Sequence, residues 1–369
     1  MLWFVGIGVN GYKGLSIQAL EVLKSCDTIY VERFTSAISD DDIHDLNSLI
    51  KKNSNDDDNN NNDNDNDNDN DNVIRVVDRW FVEDGRAILD ESKSKDIMLL
   101  TYGDPLVATT LTELYVRAVK GSTKVSIIHN ASGITSLIGE TGLHVYKFGR
   151  TVTMMSDYQS AISVYNVLFD NLLVGSHTLV LTEYNSDHNK LFYLDPRNVF
   201  QALSKVEEDL KYRAFLEETF VIIASRIGTD QQKIISGKVK SLINRDFGTG
   251  PHSIIITGSL HFTESDALTT LTHNVDDPYN NPGNIQKLAV CMVEKYAPRA
   301  KYTLAQMRST MRSEDNTTKQ WIPILNNAES YIEDAERFLK QGKPDLAVLS
   351  IGYAEGLIDA LRFQKDDCL

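Results

Sequence analysis

Apolar and polar positions alternate along the first 130 residues in a repeating strand and helix pattern. An apolar run at Leu2–Ile7 is followed by helical spacing in Ser16–Ser25 and by a second apolar run at Thr28–Glu32. A strand, a helix and a strand within about 32 residues make a βαβ unit, which implies a parallel sheet. Later elements of the same half are the predicted strands Val73–Val77, Ile97–Thr101 and Lys124–His129 and a helix from about Asp84 to Ser92.

The chain from about Thr151 continues with strands and helices. Strands are predicted at Thr178–Tyr184, Thr219–Ala224 and Ser253–Thr257. A helix begins at Asp195-Pro196, because proline suits the first helical position. The composition of Asn274–Asn284 is that of a linker.

Everything beyond that linker has helical periodicity. Two apolar stripes are predicted, and Gly342-Lys343-Pro344 separates them into a helical hairpin. The first stripe is Ile332, Ala335, Phe338 and Leu339, and the second is Leu346, Leu349, Tyr353, Leu357 and Leu361.

These patterns predict an α/β protein with three domains. Residues 1–130 form an N-terminal α/β domain, 131–275 a second α/β domain that completes a cleft, and 285–369 a small all-α module. Within the first domain, residues 53–72 are almost purely Asn and Asp. Such a segment has nothing to bury and repels itself, so we expect a disordered surface insertion there.

The charge and the cysteine content limit the functions and the cellular compartments that fit this chain. The net charge of −15 falls to −7 without the eight Asp of residues 53–72, and a mildly acidic protein is a poor binder of bare nucleic acid. Three widely spaced cysteines suit a reducing cytoplasm. No apolar run approaches the roughly 20 residues of a membrane span, and the apolar amino terminus lacks a basic leader. We therefore expect a soluble cytoplasmic protein.

The segment Tyr102-Gly103-Asp104-Pro105 is the strongest candidate for chemistry. It follows a buried strand and precedes a helix, so its tight turn lies at the carboxyl end of a strand, where open α/β sheets bind ligands. The helix offers free N–H groups to a ligand. Asp104 can accept hydrogen bonds from a ribose or an amino group, and Val107 supplies an apolar wall. A second turn of small residues, Ala131-Ser132-Gly133, follows the next strand.

A glycine-rich turn leaves a dinucleotide site open as an alternative. Gly6-Ile7-Gly8-Val9-Asn10-Gly11 matches G-x-G-x-x-G after a strand, and Glu32 ends the next strand where a ribose-binding acid would lie. The residues Tyr12-Lys13-Gly14 delay the helix, which departs from that motif. The histidines have no metal-ligand spacing, and no nucleophile–base set stands out, so no metal is expected and no catalytic residue is assigned.

Ten segments in order resemble the diphthine synthase family of the tetrapyrrole methylase superfamily, over roughly residues 1–270. They are Met1–Val9, Gly14–Cys26, Tyr30–Ser36, Val77–Val82, Tyr102–Thr110, Ile128–Ser132, Gly142–Gly149, Ser176–Leu181, Ser225–Gly237 and Pro251–Leu268. The resemblance implies a homodimeric methyltransferase that uses S-adenosylmethionine, bound in a cleft between two α/β domains. The implied substrate is the aminocarboxypropyl-modified histidine of elongation factor 2, which is methylated three times to diphthine.

The family's cofactor contacts carry over to eight positions of this chain. They are Val9, Asp104, Val107, Ser132, Gly133, Thr182, Ile227 and His252. Two positions depart from the family pattern: Thr182-Glu183 replaces a Leu-Asp pair, and Gly133 replaces a β-branched apolar residue. A cobalamin-pathway tetrapyrrole methylase, a dinucleotide oxidoreductase and a non-enzymatic scaffold are the competing interpretations. The helical tail resembles a small uncharacterised domain of archaeal proteins, and we interpret it as a docking or dimer-support module.

Overall fold

The first five strands form one parallel sheet, as the βαβ pattern predicts. Its elements are β1 (Leu2–Gly6), α1 (Ile17–Ser25), β2 (Thr28–Glu32), α2 (Asp40–Lys51), β3 (Arg75–Val77), α3 (Arg79–Asp84), α4 (Arg86–Glu91), β4 (Ile97–Thr101), α5 (Leu111–Lys120) and β5 (Val125–Ile128). The strand order is β3-β2-β4-β1-β5. Every neighbouring pair is parallel, so the carboxyl ends of β1, β4 and β5 share one edge.

The central strands are buried on both faces because helices cover the sheet on both sides. All five residues of β4 are buried, which explains its unbroken apolar run. Phe4 packs on one side with Leu111 and Leu114 of α5. Val5 packs on the other side with Leu23 of α1.

The helix predicted from about Asp84 to Ser92 is present as α4, whereas the short helix α3 before it was not predicted. Gly85 has a left-handed backbone with φ of 60° and separates α3 from α4. A Cβ atom at Gly85 would lie 2.5 Å from Leu114 Cδ1. Both short helices contribute apolar residues, Val82 and Ile88, to the same core.

A second, mixed sheet follows in the same compact unit. Its elements are α6 (Gly133–Thr141), β6 (Val152–Met154), α7 (Tyr158–Leu173), β7 (Thr178–Thr182), β8 (Tyr184–Asn185), β9 (Phe192–Tyr193), α8 (Pro196–Leu210), β10 (Phe220–Ser225), β11 (Lys233–Lys238), α9 (Val239–Leu242), β12 (His252–Ile256), α10 (Phe262–Leu271) and β13 (His273–Asn274). The strand order is β13-β11-β10-β12-β7-β6. The pairs β11–β10, β10–β12 and β12–β7 are antiparallel.

Strands β7 and β11 differ from the expectation. The predicted strand Thr178–Tyr184 ends at Thr182, and Tyr184 begins a separate hairpin, β8–β9. Strand β11 was not predicted, because lysines at both ends and Gly237 interrupt its apolar alternation. Asp195 caps α8 by accepting a hydrogen bond from the Arg197 N–H, as the Asp-Pro signal predicts.

The computed structural model describes residues 1–35, 38–51, 74–185, 191–285, 288–310 and 316–366. It divides into two compact units, Met1–Gly283 and Asn284–Leu369. The division proposed at residue 130 falls between the two sheets of the first unit. The segment 53–72 and Cys368 lie outside the described residues. No helix in the described ranges has the length and apolar character needed to span a membrane.

In the described residues of the second unit there are three helices, α11 (Leu288–Thr310), α12 (Asn316–Lys340) and α13 (Pro344–Asp366). The hairpin between α12 and α13 is confirmed, and Ile332 and Ala335 are buried as predicted. The stripe predicted on α13 is only partly correct. Leu361 is buried and Leu357 packs against the core, whereas Leu346, Leu349 and Tyr353 are exposed. The buried face consists of Ala347, Ser350, Ile351, Ala354, Ile358 and Leu361. Several of the side chains at this contact are small. A prediction that follows only the large apolar residues therefore selects a neighbouring face of the helix.

Candidate active site

A cleft opens at the carboxyl edge of the first sheet, facing the second sheet. Its walls come from the loop after β4, the beginning of α6 and the ends of β7, β10 and β12. The loop after β4 turns at Gly103, whose φ is 73°. Gly103 and Gly8 exchange two backbone hydrogen bonds of 3.0 and 3.1 Å. The turn after β4 is therefore joined to the glycine turn after β1.

Asp104 joins two loops at the floor of the cleft. It is only 6% exposed. Its Oδ1 accepts a hydrogen bond from the Leu106 N–H at 2.9 Å. Its Oδ2 lies 2.8 Å from His129 Nδ1 and accepts from the Asn130 N–H at 3.3 Å. A carboxylate can accept further bonds, so Asp104 can hold the loops and still face a ligand.

Asn130 is a structural member of the site to which the sequence pattern assigns no role. Its Nδ2 donates to the carbonyl oxygens of Gly6 and Gly14, each at 2.9 Å. Its Oδ1 accepts from the Ala131 N–H. One amide therefore fixes the loop after β5 against the loop after β1. The available signal was its position directly after a strand, beside the predicted ligand edge.

Ser132 and Gly133 begin α6 at the cleft. The Ser132 side chain caps the helix by accepting from the Ile134 N–H at 3.2 Å. A Cβ atom at Gly133 would meet only the ring of Tyr102, at 3.9 Å. The glycine that departs from the family pattern therefore leaves this side of the cleft open without creating a backbone clash.

The second sheet contributes Thr182 and His252, which are directly connected. Thr182 Oγ1 donates to the His252 carbonyl oxygen at 2.8 Å. The imidazole is 4% exposed, and its Nδ1 lies 2.8 Å from Ser225 Oγ. Burial lowers the pKa of His252 from its usual value of 6.5, so the ring is neutral near pH 7. It can therefore line a ligand pocket without adding a positive charge.

Tyr102 connects the two halves of the cleft, and the sequence pattern did not identify this role. Its hydroxyl donates to the Ile227 carbonyl oxygen at 3.0 Å and lies 3.5 Å from that of Val9. Burial raises the pKa of Tyr102 to about 12, so the phenol keeps its proton. Gly228 approaches Val9 so closely that a Cβ atom there would lie 2.5 Å from Val9 Cγ2.

Seven of the eight predicted cofactor positions line this cleft. They are Asp104, Val107, Ser132, Gly133, Thr182, Ile227 and His252. Val9 does not line it. It lies behind the wall, where it supports the loop that carries Ile227. The structure thus brings seven residues from distant parts of the chain into one pocket and places the eighth beside it.

The geometry of Glu32 disfavours the dinucleotide alternative. Glu32 is fully buried, and it accepts hydrogen bonds from the N–H groups of Phe34 and Thr35 and from the Thr101 hydroxyl. Its carboxylate is thus unavailable to a ribose. Gly11–Gly14 forms a short 3-10 turn, and α1 begins only after the Ser16 cap. The third glycine is therefore not at a helix amino terminus, where that motif requires it.

The lining fits S-adenosylmethionine, which combines an adenosine, a sulfonium and an amino-acid group. The side chains of Val107, Leu181 and Ile227 form an apolar wall. Asp104 and Ser132 offer buried polar atoms. Among the residues that the structure describes, no group of three or more His, Cys, Asp or Glu side chains is placed to hold a metal ion.

Comparison with known proteins agrees with this geometry. Residues 1–243 match the tetrapyrrole (corrin/porphyrin) methylases, and residues 295–365 match a family of proteins of unknown function, DUF357. The diphthine synthase of Methanocaldococcus jannaschii is 34% identical over 278 residues, which are 74% of this chain and 100% of that protein. The diphthine synthase of Methanococcus maripaludis is 35% identical with the same coverage.

A solved structure extends the similarity to three dimensions. A crystal structure of diphthine synthase is 26% identical and superposes with a TM-score of 0.59, covering 74% of this chain and 96% of the other. The chain therefore belongs to the tetrapyrrole methylase family and, within it, to the diphthine synthases.

Proposed function

We propose that this enzyme methylates the amino group of the aminocarboxypropyl-modified histidine of elongation factor 2, giving diphthine in diphthamide biosynthesis. It is a methyltransferase, and S-adenosylmethionine is its methyl donor. The observation that carries the proposal is that this chain spans the whole length of diphthine synthases at 34–35% identity. The convergence of seven expected contacts in one cleft supports it.

Residues of both sheets would hold the cofactor. Asp104 and Val107 come from the first sheet, and Thr182, Ile227 and His252 come from the second. S-adenosylmethionine supplies a methyl group on a sulfonium, whose positive charge is lost as the methyl leaves. Because Asp104 and His252 are almost fully buried, the cleft excludes much of the water that would otherwise stabilise that charge.

The reaction needs positioning more than it needs a reactive side chain. Bound S-adenosylmethionine would supply the methyl group to the neutral amine of the substrate and would leave as S-adenosylhomocysteine, with the amine's proton released to solvent. No covalent intermediate with the enzyme is required. Orientation of two reactants in one site can contribute about 7–11 kcal/mol. This explains why no nucleophile–base pair was found in the sequence, and we assign no general base.

We also propose that three methyl groups are added, that the enzyme is a homodimer and that it acts in the cytoplasm. The similarity to archaeal-type tails supports the three-methyl outcome. The helical unit, which matches DUF357, would serve as a docking or dimer-support module. Light scattering of the purified protein gives the oligomeric state, and a monomeric mass would contradict the dimer.

The test is methyl transfer with a matched substrate pair. The enzyme is incubated with methyl-labelled S-adenosylmethionine and elongation factor 2 that either carries or lacks the aminocarboxypropyl group. We expect label only on the modified factor. Binding of S-adenosylmethionine without any transfer to the factor, together with an absorbance change on adding a porphinoid, would favour a tetrapyrrole methylase instead.

A further inference from the structure

A second cavity adjoins the cofactor cleft. It lies between the loops after β1 and β2, the beginning of α2 and the loop after β10. The two cavities share Tyr102, Arg226 and Pro251. None of the eight expected cofactor positions lines the second one. A second molecule could therefore reach the edge of the cofactor site from this side.

Arg226 lies at the border between the two cavities and has an unusual backbone conformation. Its backbone is left-handed, with φ of 52°, a conformation that costs a non-glycine residue about 1–2 kcal/mol. Its Nη1 donates to Gln231 Oε1 at 2.7 Å and to Thr249 Oγ1 at 2.9 Å. Both acceptors are neutral, so they orient the guanidinium without compensating its charge.

One donor of this guanidinium has no hydrogen-bond partner among the described residues. This donor is the Nε atom, which is buried. No carboxylate in the described part of the chain lies within ion-pair distance of it. Arg33, the other arginine of the cavity, pairs instead with Asp40 at 2.7 Å. A partly buried cation that is oriented but unpaired suits an anionic ligand.

We propose that Arg226 binds the α-carboxylate of the modified histidine and thereby directs the adjacent amine toward the methyl group. This inference rests on the proposed function. Guanidinium and carboxylate form charge-assisted, often bidentate, hydrogen bonds. The carboxylate and the amine of an aminocarboxypropyl group are on the same carbon, so fixing one restricts the other. The methionine part of the cofactor has the same chemistry, and the two sources are separable by experiment.

The experiment compares Arg226→Gln and Arg226→Lys with the wild type. Arg86→Gln is the matched control, because Arg86 is an exposed arginine paired with Asp84 on the surface. For each protein we measure the thermal midpoint, the Kd of S-adenosylmethionine by calorimetry, and kcat and KM for modified elongation factor 2. The lysine variant keeps the positive charge but loses the planar guanidinium, which can form two parallel hydrogen bonds with a carboxylate.

We expect Arg226→Gln to lower kcat/KM for the factor roughly 10- to 100-fold, with Arg226→Lys intermediate. The cofactor Kd, the thermal midpoint and the control stay at wild-type values. Unchanged kcat/KM in both variants overturns the inference, as does a weaker cofactor Kd with an unchanged KM for the factor. If the wild type itself transfers no methyl group, it is the proposed function that fails.

Discussion

Individual buried polar residues hold the cleft together by joining loops that are far apart in sequence. Asp104 contacts the loop after β5, Asn130 reaches the glycine turn after β1, and Tyr102 reaches the loop after β10. Each bond is modest, about 1 kcal/mol net. Together they determine where the cofactor-facing backbone lies.

Replacing Asp104 by Ala should weaken cofactor binding. The change leaves the N–H groups of Leu106 and Asn130 without their carboxylate acceptor. We expect the Kd of S-adenosylmethionine, measured by calorimetry, to rise roughly 10- to 100-fold. Asp78→Ala is the control, since it removes only the cap of α3, at a cost of about 1 kcal/mol of stability. Equal Kd values for wild type and D104A would refute this role.

Glu264 should make stability depend on acid pH. It is fully buried, which opposes its ionisation. The N–H groups of His261 and His144, together with Lys147 and His177, outweigh burial and lower its pKa from 4.5 to about 2. A carboxyl with a depressed folded-state pKa stabilises the protein above its unfolded pKa, and that contribution is lost as pH falls toward 2.

Denaturant titrations between about pH 6 and pH 2 test this expectation. Wild-type unfolding free energy should lose on the order of 3 kcal/mol from this group alone. Glu264→Gln should be less stable at pH 7 and should lack that part of the acid slope. Parallel curves for the two proteins would show that Glu264 is not the source.

Individual site residues could be predicted from the sequence where they lie in a local motif. Asp104, Ser132 and Gly133 were identified because each lies in a turn directly after a predicted strand. Glu264 had no such signal, since its partners His144 and His177 are 120 and 87 residues away. The unpaired charge of Arg226 could not be predicted from the sequence either, because an unpaired charge is recognised only once its neighbours in space are known.

At the scale of elements, the loop after β10 closes the cleft by contact with the turn after β1. Gly228 has φ of 83°, and a Cβ atom there would lie 2.6 Å from the Val9 carbonyl oxygen. The buried strands β4 and β10 were predicted well because they are continuous apolar runs. Strand β11 and the buried face of α13 were not, since their contacts use small or alternating residues.

Gly228→Ala should displace this loop, because the added methyl group overlaps Val9 and the left-handed backbone disfavours alanine. We expect lower thermal stability and weaker binding of S-adenosylmethionine. Gly139→Ala is the matched control: Gly139 lies within α6 with no atom within 4 Å of the added Cβ. It should gain about 0.5–1 kcal/mol. A G228A protein that behaves like G139A would contradict the close contact.

At the scale of the whole molecule, the first compact unit, Met1–Gly283, has two large sheets and a cleft lined from both. It contains residues 1–243, which match the tetrapyrrole methylases, whereas residues 295–365 of the helical unit match a separate family. Fold class and family followed from ordered motifs in the sequence. The geometry of the second cavity did not, because it is formed by loops from both halves.

The most direct test counts methyl groups on the product. Modified elongation factor 2 is incubated with the enzyme and excess S-adenosylmethionine, and the histidine-bearing peptide is analysed by fragmentation mass spectrometry. We predict three methyl groups, all on the amine of the aminocarboxypropyl side chain. An unmodified peptide from an enzyme that binds the cofactor would contradict the proposed substrate. A fourth methyl, placed on the carboxylate, would contradict the three-methyl outcome.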